Sequence, residues 1–314
     1  MPIDNFVHLT NKIVYSPSRL KFKTFLKPMD SINELFHQIS NTKYNLVPYE
    51  AKKTPFTPQE LLTFAKAQHT WLQTQTPTEQ IIAILVREIT PRILERYSLV
   101  AKDLNQKIFL ITDTFYPRFQ EGNLNIIYIF ENFCYEAGYY YVNTDTMPVQ
   151  LVISWDRCLF FLANYPQLFE TAWIIEDDVA FKKGVLPRFF AKFDNTIDFI
   201  AAEHDVDEHW HLWGTLRDCN LPQRGASYNP LIRISRKFIT TLATFVKENR
   251  RLYFLEAFFL SFVIAKQLTY KLFDDLKSHF RYAPAITEII HTEYSIYHPV
   301  KDDVLWDKIW HSDS

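Results

Sequence analysis

The apolar residues after position 80 recur at the spacing of a helix, and the residues before them have the pattern of a helix start. They are Ile81, Ile82, Leu85, Ile89, Ile93 and Leu94, a spacing that predicts one apolar helix face. Thr76-Pro77-Thr78-Glu79 places a cap residue, a first-turn proline and a glutamate in capping-box order, as Thr57-Pro58-Gln59-Glu60 does earlier. Pro91 should kink or split the helix. We therefore expect residues 1–104 to form a helical N-terminal extension, either structural or a module for acceptor recognition or docking.

From position 107 the apolar residues form short runs that end at polar side chains. Strands are predicted at 108–113, 138–143, 171–175 and 196–202. Helices are predicted at 154–164 (with Ser154 as its cap), 235–249 and 255–268, whereas 125–133 fits either a strand or a helix start. This alternation indicates an α/β domain at 105–314 with a mostly parallel sheet. Ligands of such sheets bind at the carboxyl ends of the strands, where Asp113, Glu176 and Asp178 are expected.

The composition narrows the class of protein. The chain has 314 residues, 47% of them hydrophobic, and a net charge of -2, so we expect a sizeable core and no nucleic-acid partner. Residues 1–15 lack the apolar core of a signal peptide, and the longest apolar run, 253–265, is too short to span a bilayer. The cysteines Cys134, Cys158 and Cys219 form no CxxC pair, which fits a reducing compartment. We expect a cytoplasmic protein without a transmembrane segment, with action at a membrane surface or delivery into another cell left open.

Glycine is scarce, and its positions exclude several nucleotide-binding motifs. The five glycines are Gly122, Gly138, Gly184, Gly214 and Gly225. No two of them are close enough for a GxGxxG fingerprint, a P-loop or a GxSxG elbow. A nucleotide bound by this chain must be held in another way, such as through a metal ion.

Glu176, Asp177 and Asp178 form an acidic triplet directly after a predicted buried strand. Their charges repel one another, so the triplet needs either an exposed turn or a cation. Carboxylate oxygens suit Mg²⁺ or Mn²⁺, which also take phosphate oxygens. Such a metal can bridge a nucleoside diphosphate and stabilise its charge as it leaves.

The segment Trp173-Ile-Ile-Glu-Asp-Asp-Val179 resembles the DXD segment of GT-A glycosyltransferases in its Glu-Asp-Asp form. In that fold a helix before the DXD strand brings polar residues toward the nucleotide, and Ser154-Trp155-Asp156-Arg157 lies about twenty residues upstream. The predicted strand 108–113 would be the early strand near the base. The resemblance covers about residues 105–301. It implies a metal-dependent transferase that takes a sugar from a nucleotide-sugar, most often a UDP-sugar, to a glycan, a lipid-linked sugar or a protein.

The resemblance also implies roles for the acidic triplet and the residues before it. Asp178 would bind Mn²⁺ or Mg²⁺, Glu176 would contact the metal through water or the ribose, and Asp177 would face the sugar. Nucleotide contacts would come from Asp113, Trp155, Asp156 and Arg157. An alternative remains for Asp156 and Arg157, which also fit a local surface pair, and for Asp113, which fits a strand-end cap.

A second cluster lies near the end of the chain, in Ile296-Tyr297-His298-Pro299-Val300-Lys301. The resembling family often supplies a late histidine to the metal and in some members a lysine to the diphosphate. His298 and Lys301 match that order, and a neutral imidazole can complete a carboxylate-rich site while an ammonium offsets phosphate charge. His291 is a rival ligand, and a packed histidine before a proline turn is the alternative.

Glu256 interrupts the apolar stretch 254–265. A carboxylate there is costly unless it is paired or used. Inverting enzymes of the resembling family place an acid at a helix start beside the acceptor, so Glu256 is the predicted general base. The alternative is an ion-paired or half-exposed helix residue.

The polar segment 204–211 precedes Trp213 and Gly214 and contains Trp210. The resemblance implies a sugar-facing loop in which the tryptophans stack on a sugar and Gly214 allows close approach. A mobile loop is the alternative. A zinc site from His209 and His211 is weaker, because the HxH spacing has no cysteine partner nearby.

Three rival functions remain open. A sugar nucleotidyltransferase normally has a glycine-rich N-terminal loop, which this chain lacks. A phosphatase of the haloacid dehalogenase type needs a second aspartate after Asp113, where Phe115 stands instead. A non-catalytic binding protein with an incidental acidic turn is the third. Cleavage of a nucleotide-sugar separates the transferase from all three.

Overall fold

The computed structural model describes residues 57–142, 150–276, 279–281, 284–289 and 294–312. In chain order the strands are β1 (Thr78–Val86), β2 (Ile108–Thr112), β3 (Gln120–Glu121), β4 (Leu124–Tyr128), β5 (Tyr141–Val142), β6 (Gln150–Leu151), β7 (Phe169–Glu176), β8 (Ala180–Phe181), β9 (Phe199–Glu203), β10 (Ser227–Ser235), β11 (Tyr270–Phe273) and β12 (Ile296–Tyr297). The α-helices are α1 (Pro58–Gln73), α2 (Pro91–Leu104), α3 (Glu131–Ala137), α4 (Ser154–Asn164), α5 (Val185–Phe190), α6 (Arg236–Asn249), α7 (Leu255–Ala265) and α8 (Asp303–His311).

Eight of these strands form one sheet in the order β11-β9-β10-β7-β1-β2-β4-β3. Strands β7, β1, β2 and β4 are parallel to one another, and β11 is parallel to β9. Strand β10 is antiparallel to both of its neighbours, and the short edge strand β3 is antiparallel to β4. The predicted α/β class with a mostly parallel sheet is confirmed, and the sheet is mixed because of β10 and β3.

The helix predicted from residue 78 onward is wrong, because Thr78–Val86 is a strand at the centre of the sheet, between β7 and β2. All residues from Ile81 to Val86 are buried, and they alternate between the two faces of the sheet. A strand that is buried on both faces has an apolar residue at nearly every position. Such a run also satisfies a helical spacing, which explains the error.

Pro91 begins a helix instead of kinking one. It is the first residue of α2, and the hydroxyl of Thr90 accepts a hydrogen bond from the backbone N–H of Ile93. The sheet therefore starts before the domain boundary predicted at residue 105. The capping box at Thr57 and Glu60 is present at the start of α1, whereas residues 1–56 of the predicted extension lie outside the described residues.

Helices cover both faces of the sheet and enclose two hydrophobic cores. One core takes side chains from α1, α4, α6 and α7, and the other takes them from α2, α5 and α8. In the second core, Trp173 of β7 stacks on Phe190 with ring centroids 4.2 Å apart. No helix in the described part of the chain has the length and apolar character needed to cross a bilayer.

The sequence patterns located several other elements and missed the rest. The undecided segment 125–133 contains most of β4 and the start of α3, and the strand predicted at 138–143 is reduced to β5. Besides two-residue strands, the missed elements include α5, β10, β11 and α8. Strand β10 was hidden by Pro230, since proline is rare inside strands, and its pairing with β9 shifts register between Tyr228 and Arg233.

Candidate functional site

The carboxyl ends of the central parallel strands bring the predicted acidic residues to one edge of the sheet. The backbone N–H of Asp113, after β2, bonds to Val86 O at 3.2 Å, and that of Asp177, after β7, bonds to Leu85 O at 3.1 Å. Both carbonyls belong to β1, which lies between the two strands. The acids that end β2 and β7 therefore flank the end of β1, as expected for a ligand site of an α/β sheet.

Glu176, Asp178 and His298 form a group whose potential ligand atoms all lie within 4.8 Å of one another. His298 Nε2 is 3.4 Å from Glu176 Oε2 and 3.2 Å from Asp178 Oδ1. Two carboxylates and one imidazole are a donor set that suits Mn²⁺ and is compatible with Mg²⁺. These three residues could therefore hold a divalent cation, and they are the three predicted as metal ligands.

Backbone pairing brings His298 to the acidic turn from 120 residues further along the chain. Strand β12 pairs antiparallel with β8, which follows the turn directly. The next contact is a hydrogen bond from Val300 N to Asp178 O at 2.8 Å. On its other side, His298 N donates to His279 O and its carbonyl accepts from Arg281 N, both at 3.0 Å. The imidazole is thus carried by a segment that is fixed on both sides.

Cationic side chains offset the acids of this group. Lys301 Nζ contacts Asp178 Oδ2. Burial alone would raise the pKa of Asp178, but hydrogen bonds from His298 and Lys301 and their positive charges outweigh it and hold the pKa below its ordinary value. Burial lowers the pKa of His298, yet the bonds and charges of Asp178 and Glu176 raise it to about 9. Positive charge is therefore favoured at the place where a cation would bind.

Asp177 has different surroundings from the acids on either side of it. Its carboxylate accepts a hydrogen bond from the backbone of Arg87, and burial followed by the charge of Asp178 raises its pKa to about 6. Its negative charge also reaches the buried hydroxyl of Tyr97 on α2. It does not belong to the ligand group of Glu176, Asp178 and His298. Its predicted role toward the sugar stays a prediction.

The start of α4 connects the metal group to the end of β2. Ser154 Oγ donates to Asp113 Oδ2 at 2.9 Å, and Arg157 Nε lies 3.4 Å from Asp113 Oδ1. Trp155 Nε1 donates to Glu176 Oε1 at 2.7 Å. The structure thus joins three of the predicted nucleotide-binding residues, Asp113, Trp155 and Arg157, into one network with the metal group.

Two details of this helix start differ from the predictions. Ser154 is the first helical residue and not the cap, because Ile153 occupies the cap position. Asp156 is fully buried, and its Oδ2 accepts a hydrogen bond from the backbone N–H of Ile153 at 2.9 Å. Neither Asp156 nor Arg157 is a surface residue, so the alternative of a local surface pair is wrong. Asp156 ties down the start of the helix that presents Ser154 and Trp155.

Glu256 is the second residue of α7 and lies close enough to the metal group to be affected by its charges. Burial raises its pKa to about 8, the charge of Glu176 adds to this, and His298 opposes it. Its Oε2 is buried, and no hydrogen-bond partner for it lies among the described residues. A half-buried carboxylate of raised pKa, without an ion-pair partner in the described chain, is suited to accept a proton.

The loop after β9 packs through aromatic rings on residues next to the metal group. Trp210 packs against His204 and Phe254, with ring centroids 5.2 and 6.2 Å apart. Gly214 lies in the short 3-10 helix His211–Leu216, where its carbonyl accepts from Arg217 N at 3.1 Å. Its predicted role as a close-approach position stays a prediction.

The remaining histidines give no second metal group in the described ranges. His209 and His211 are exposed, and the group found among the described residues contains neither of them. His291, the rival to His298, lies outside the described residues. The sequence patterns missed Tyr228, whose hydroxyl lies 2.8 Å from His298 Nδ1, because its strand was not predicted.

No protein-family model matches this chain. No curated protein matches its sequence either. The function therefore has to be inferred from the chemistry of the site.

Proposed function

We propose that this chain is a metal-dependent glycosyltransferase of the GT-A type, which transfers a sugar from a nucleotide-sugar donor to an acceptor hydroxyl. The observation that carries the proposal is the convergence of Glu176, Asp178 and His298 at the end of central strand β7. The chain has no glycine-rich loop that could bind phosphates through its backbone. A cation held at this end of the sheet would give a nucleoside diphosphate the positive charge that it needs.

The ligand set supports binding of the diphosphate through a metal. Mn²⁺ or Mg²⁺, when bound, supplies positive charge that bridges the diphosphate and stabilises it as a leaving group. Glu176, Asp178 and His298 would hold the ion. Lys301, whose side chain is 67% exposed, can swing from Asp178 to a phosphate oxygen without losing a buried contact.

The network at the start of α4 supports a nucleoside pocket next to the metal. Asp113 and Arg157 present a carboxylate and a guanidinium at the end of β2, and Ser154 holds the carboxylate in place. Such groups can bond a ribose or a base edge. Trp155 orients Glu176 through its indole N–H, so the nucleoside and metal parts of the site are mechanically connected.

Glu256 is the group best suited to deprotonate the acceptor. A sugar or protein hydroxyl is a weak nucleophile at neutral pH, and a positioned carboxylate is typically worth about 10²- to 10⁴-fold in rate. The raised pKa of Glu256 and the lack of a partner for its Oε2 within the described chain favour this role. It implies an inverting reaction. A UDP-sugar donor and a glycan, lipid-linked or protein acceptor complete the proposal, with Trp210 and Gly214 on the loop that borders the acceptor side.

The test is calorimetric titration of UDP, GDP and CDP into the protein with and without Mn²⁺. We expect one nucleotide to bind more tightly with Mn²⁺, and Asp178→Ala to abolish the gain. Asp205→Ala is the matched control, since this exposed acid likewise follows a strand of the same sheet, β9. Binding that ignores both Mn²⁺ and Asp178→Ala would reject the proposal.

Product analysis separates the transferase from its rivals. Incubation with the matching nucleotide-sugar and Mn²⁺ should release the nucleoside diphosphate, even slowly with water as acceptor. Formation of a nucleotide-sugar from a nucleoside triphosphate and a sugar phosphate would instead identify a nucleotidyltransferase. Metal-dependent binding without any turnover over a broad acceptor screen would identify a binding protein.

A further inference from the structure

Tyr228 of β10 bonds to the imidazole of the candidate metal ligand on the side away from the carboxylates. Its hydroxyl lies 2.8 Å from His298 Nδ1 and 2.7 Å from the carbonyl oxygen of Arg281. The same carbonyl oxygen is 3.2 Å from His298 Nδ1. Three polar atoms thus form a closed triangle on this side of the ring.

The position of the protons in this triangle follows from the chemistry of its members. A carbonyl oxygen only accepts, so the single proton of the Tyr228 hydroxyl is donated to Arg281 O. The hydroxyl oxygen is then left with lone pairs for His298, and Nδ1 has to be the donor. The contact between Nδ1 and Arg281 O also requires Nδ1 to be the donor. The carbonyl has no proton, and the hydroxyl proton is already donated to the carbonyl. Both contacts place a proton on Nδ1.

We propose that Tyr228 is a positioning residue that fixes a proton on Nδ1 of His298 and thereby presents the Nε2 lone pair of the neutral ring to the divalent cation. In a neutral imidazole only one nitrogen carries a proton, so a proton held on Nδ1 leaves Nε2 free to coordinate. Nε2 is the atom that faces Glu176 and Asp178. This inference rests on the proposed metal site and names a residue that controls it.

The surroundings of Tyr228 give it little freedom to leave this position. Its ring packs against the rings of His204 and Phe280, with centroids 5.6 and 5.9 Å away. The Arg281 carbonyl is held by the backbone pairing of Arg281 with His298. The triangle is therefore built on two fixed segments, and the orientation of the imidazole is set before a cation arrives.

The fold contains a matched pair for the test. Tyr165 bonds through its hydroxyl to Nδ1 of His69 at 2.7 Å, and both tyrosines are buried. Neither Tyr165 nor His69 belongs to the metal group. Tyr228→Phe and Tyr165→Phe therefore remove the same hydroxyl from the same kind of contact, one beside the metal group and one elsewhere.

Mn²⁺ titration of the three proteins decides the role of Tyr228. We expect Tyr228→Phe to weaken Mn²⁺ binding about 10-fold or more, the usual effect of losing a partner that orients a metal-bound histidine. Tyr165→Phe should leave it unchanged. Equal affinity in wild type and Tyr228→Phe would overturn the positioning role alone. Wild-type protein that binds no Mn²⁺ would overturn the metal site itself, and the proposal with it.

A second measurement reads the proton directly, first in the wild-type protein. In Mg²⁺-saturated protein with ¹⁵N-labelled histidine, long-range proton–nitrogen correlation should show a protonated Nδ1 on His298. If Tyr228→Phe folds, its Nδ1 proton should exchange faster with water, a change that a purely structural role would not produce. A proton found on Nε2 with an unprotonated Nδ1 would overturn the proposal.

Discussion

A buried aspartate lies at each of the two ends of the sheet, Asp198 at the amino end of β9 and Asp178 at the carboxyl end of β7. The two residues have opposite kinds of surroundings. Asp198, just before β9, has only complementary partners. Its oxygens accept from Ser235 Oγ at 2.8 Å, from Lys237 Nζ and Thr269 N at 3.0 Å each, and from Thr269 Oγ1 at 3.1 Å. Asp178, after β7, lies beside two other acids and has Lys301 and His298 as its charge partners.

The difference distinguishes a carboxylate that stabilises the fold from one that is available for a ligand. At Asp198 the protein supplies a donor for each carboxylate oxygen, so the network is complete without any further group. At the other edge the carboxylates of Glu176 and Asp178 converge with Nε2 of His298, and Glu256 adds a buried oxygen without a partner in the described chain. A buried acid that the protein itself does not satisfy is better explained by a ligand than by packing.

The largest effect expected from this comparison is on Glu256. Glu256→Gln keeps the shape of the side chain and removes its ability to take a proton, so turnover should fall about 10²- to 10⁴-fold. Affinity for the donor nucleotide should change little, because the ligand group is untouched. Steady-state kinetics and calorimetry on the same preparations measure both. Near-wild-type turnover would assign Glu256 to a structural role and would favour a retaining reaction.

Asp198 should show the reverse, with an effect on stability and none on binding. Asp198→Asn removes the charge from a network that includes a lysine and several neutral donors, and we expect a loss of about 2 kcal/mol in the free energy of unfolding. Urea denaturation measures this loss. Asp205→Asn, an exposed acid, should change it by less than about 0.5 kcal/mol. If Asp198→Asn lost more free energy of Mn²⁺ binding than free energy of unfolding, the contrast between the two aspartates would not hold.

The acidic residues at the end of β7 could be predicted because the sequence signals for them are local. An apolar run that ends in Glu176 and Asp178 predicts a strand with acidic side chains at its carboxyl end, and the structure has that strand and gathers Glu176, Asp178 and His298 into one group. The late position of His298 required the family resemblance, since no local rule places a residue 120 positions away. The convergence of these three residues was therefore predictable.

The rest was not predictable because long-range packing overrides local patterns. Strand β1 has the same apolar residues as a helix face, and only its burial between β2 and β7 decides its conformation. Tyr228 lies on a strand interrupted by Pro230, and its contact with His298 spans 70 residues. The network of Asp198 joins Ser235, Lys237 and Thr269, which have no distinguishing spacing in the sequence.

The pH dependence of stability should follow Asp198 in a defined direction. Burial would raise its pKa, but hydrogen bonds from Thr269, Ser235 and Lys237 outweigh this and hold the pKa below the ordinary value. A carboxylate whose pKa is lower in the folded state stabilises the protein above the unfolded-state pKa. That contribution is lost as pH falls through the folded-state value. The stability difference between wild type and Asp198→Asn should thus stay constant from pH 7 to about 5 and shrink below about pH 4. A difference that grows on acidification would contradict the argument.

The smallest expected effect, and the one that tests the electrostatics of the acidic edge most directly, is that of Lys301. Its side chain is 67% exposed, so its pairing with Asp178 is weakened by solvent and worth at most about 1 kcal/mol. Lys301→Met removes a positive charge that competes with the cation for Asp178. Mn²⁺ alone should therefore bind about twofold to fivefold more tightly, a range that corresponds to such an energy. The diphosphate loses a positive neighbour, so nucleotide binding in saturating Mn²⁺ should weaken by a similar factor.

Calorimetry of Mn²⁺ and of nucleotide measures the two changes separately, and Lys308→Met, an exposed lysine on α8, is the control. If both affinities fall together, Lys301 acts by holding the acidic turn in shape, and its charge does not discriminate between metal and phosphate.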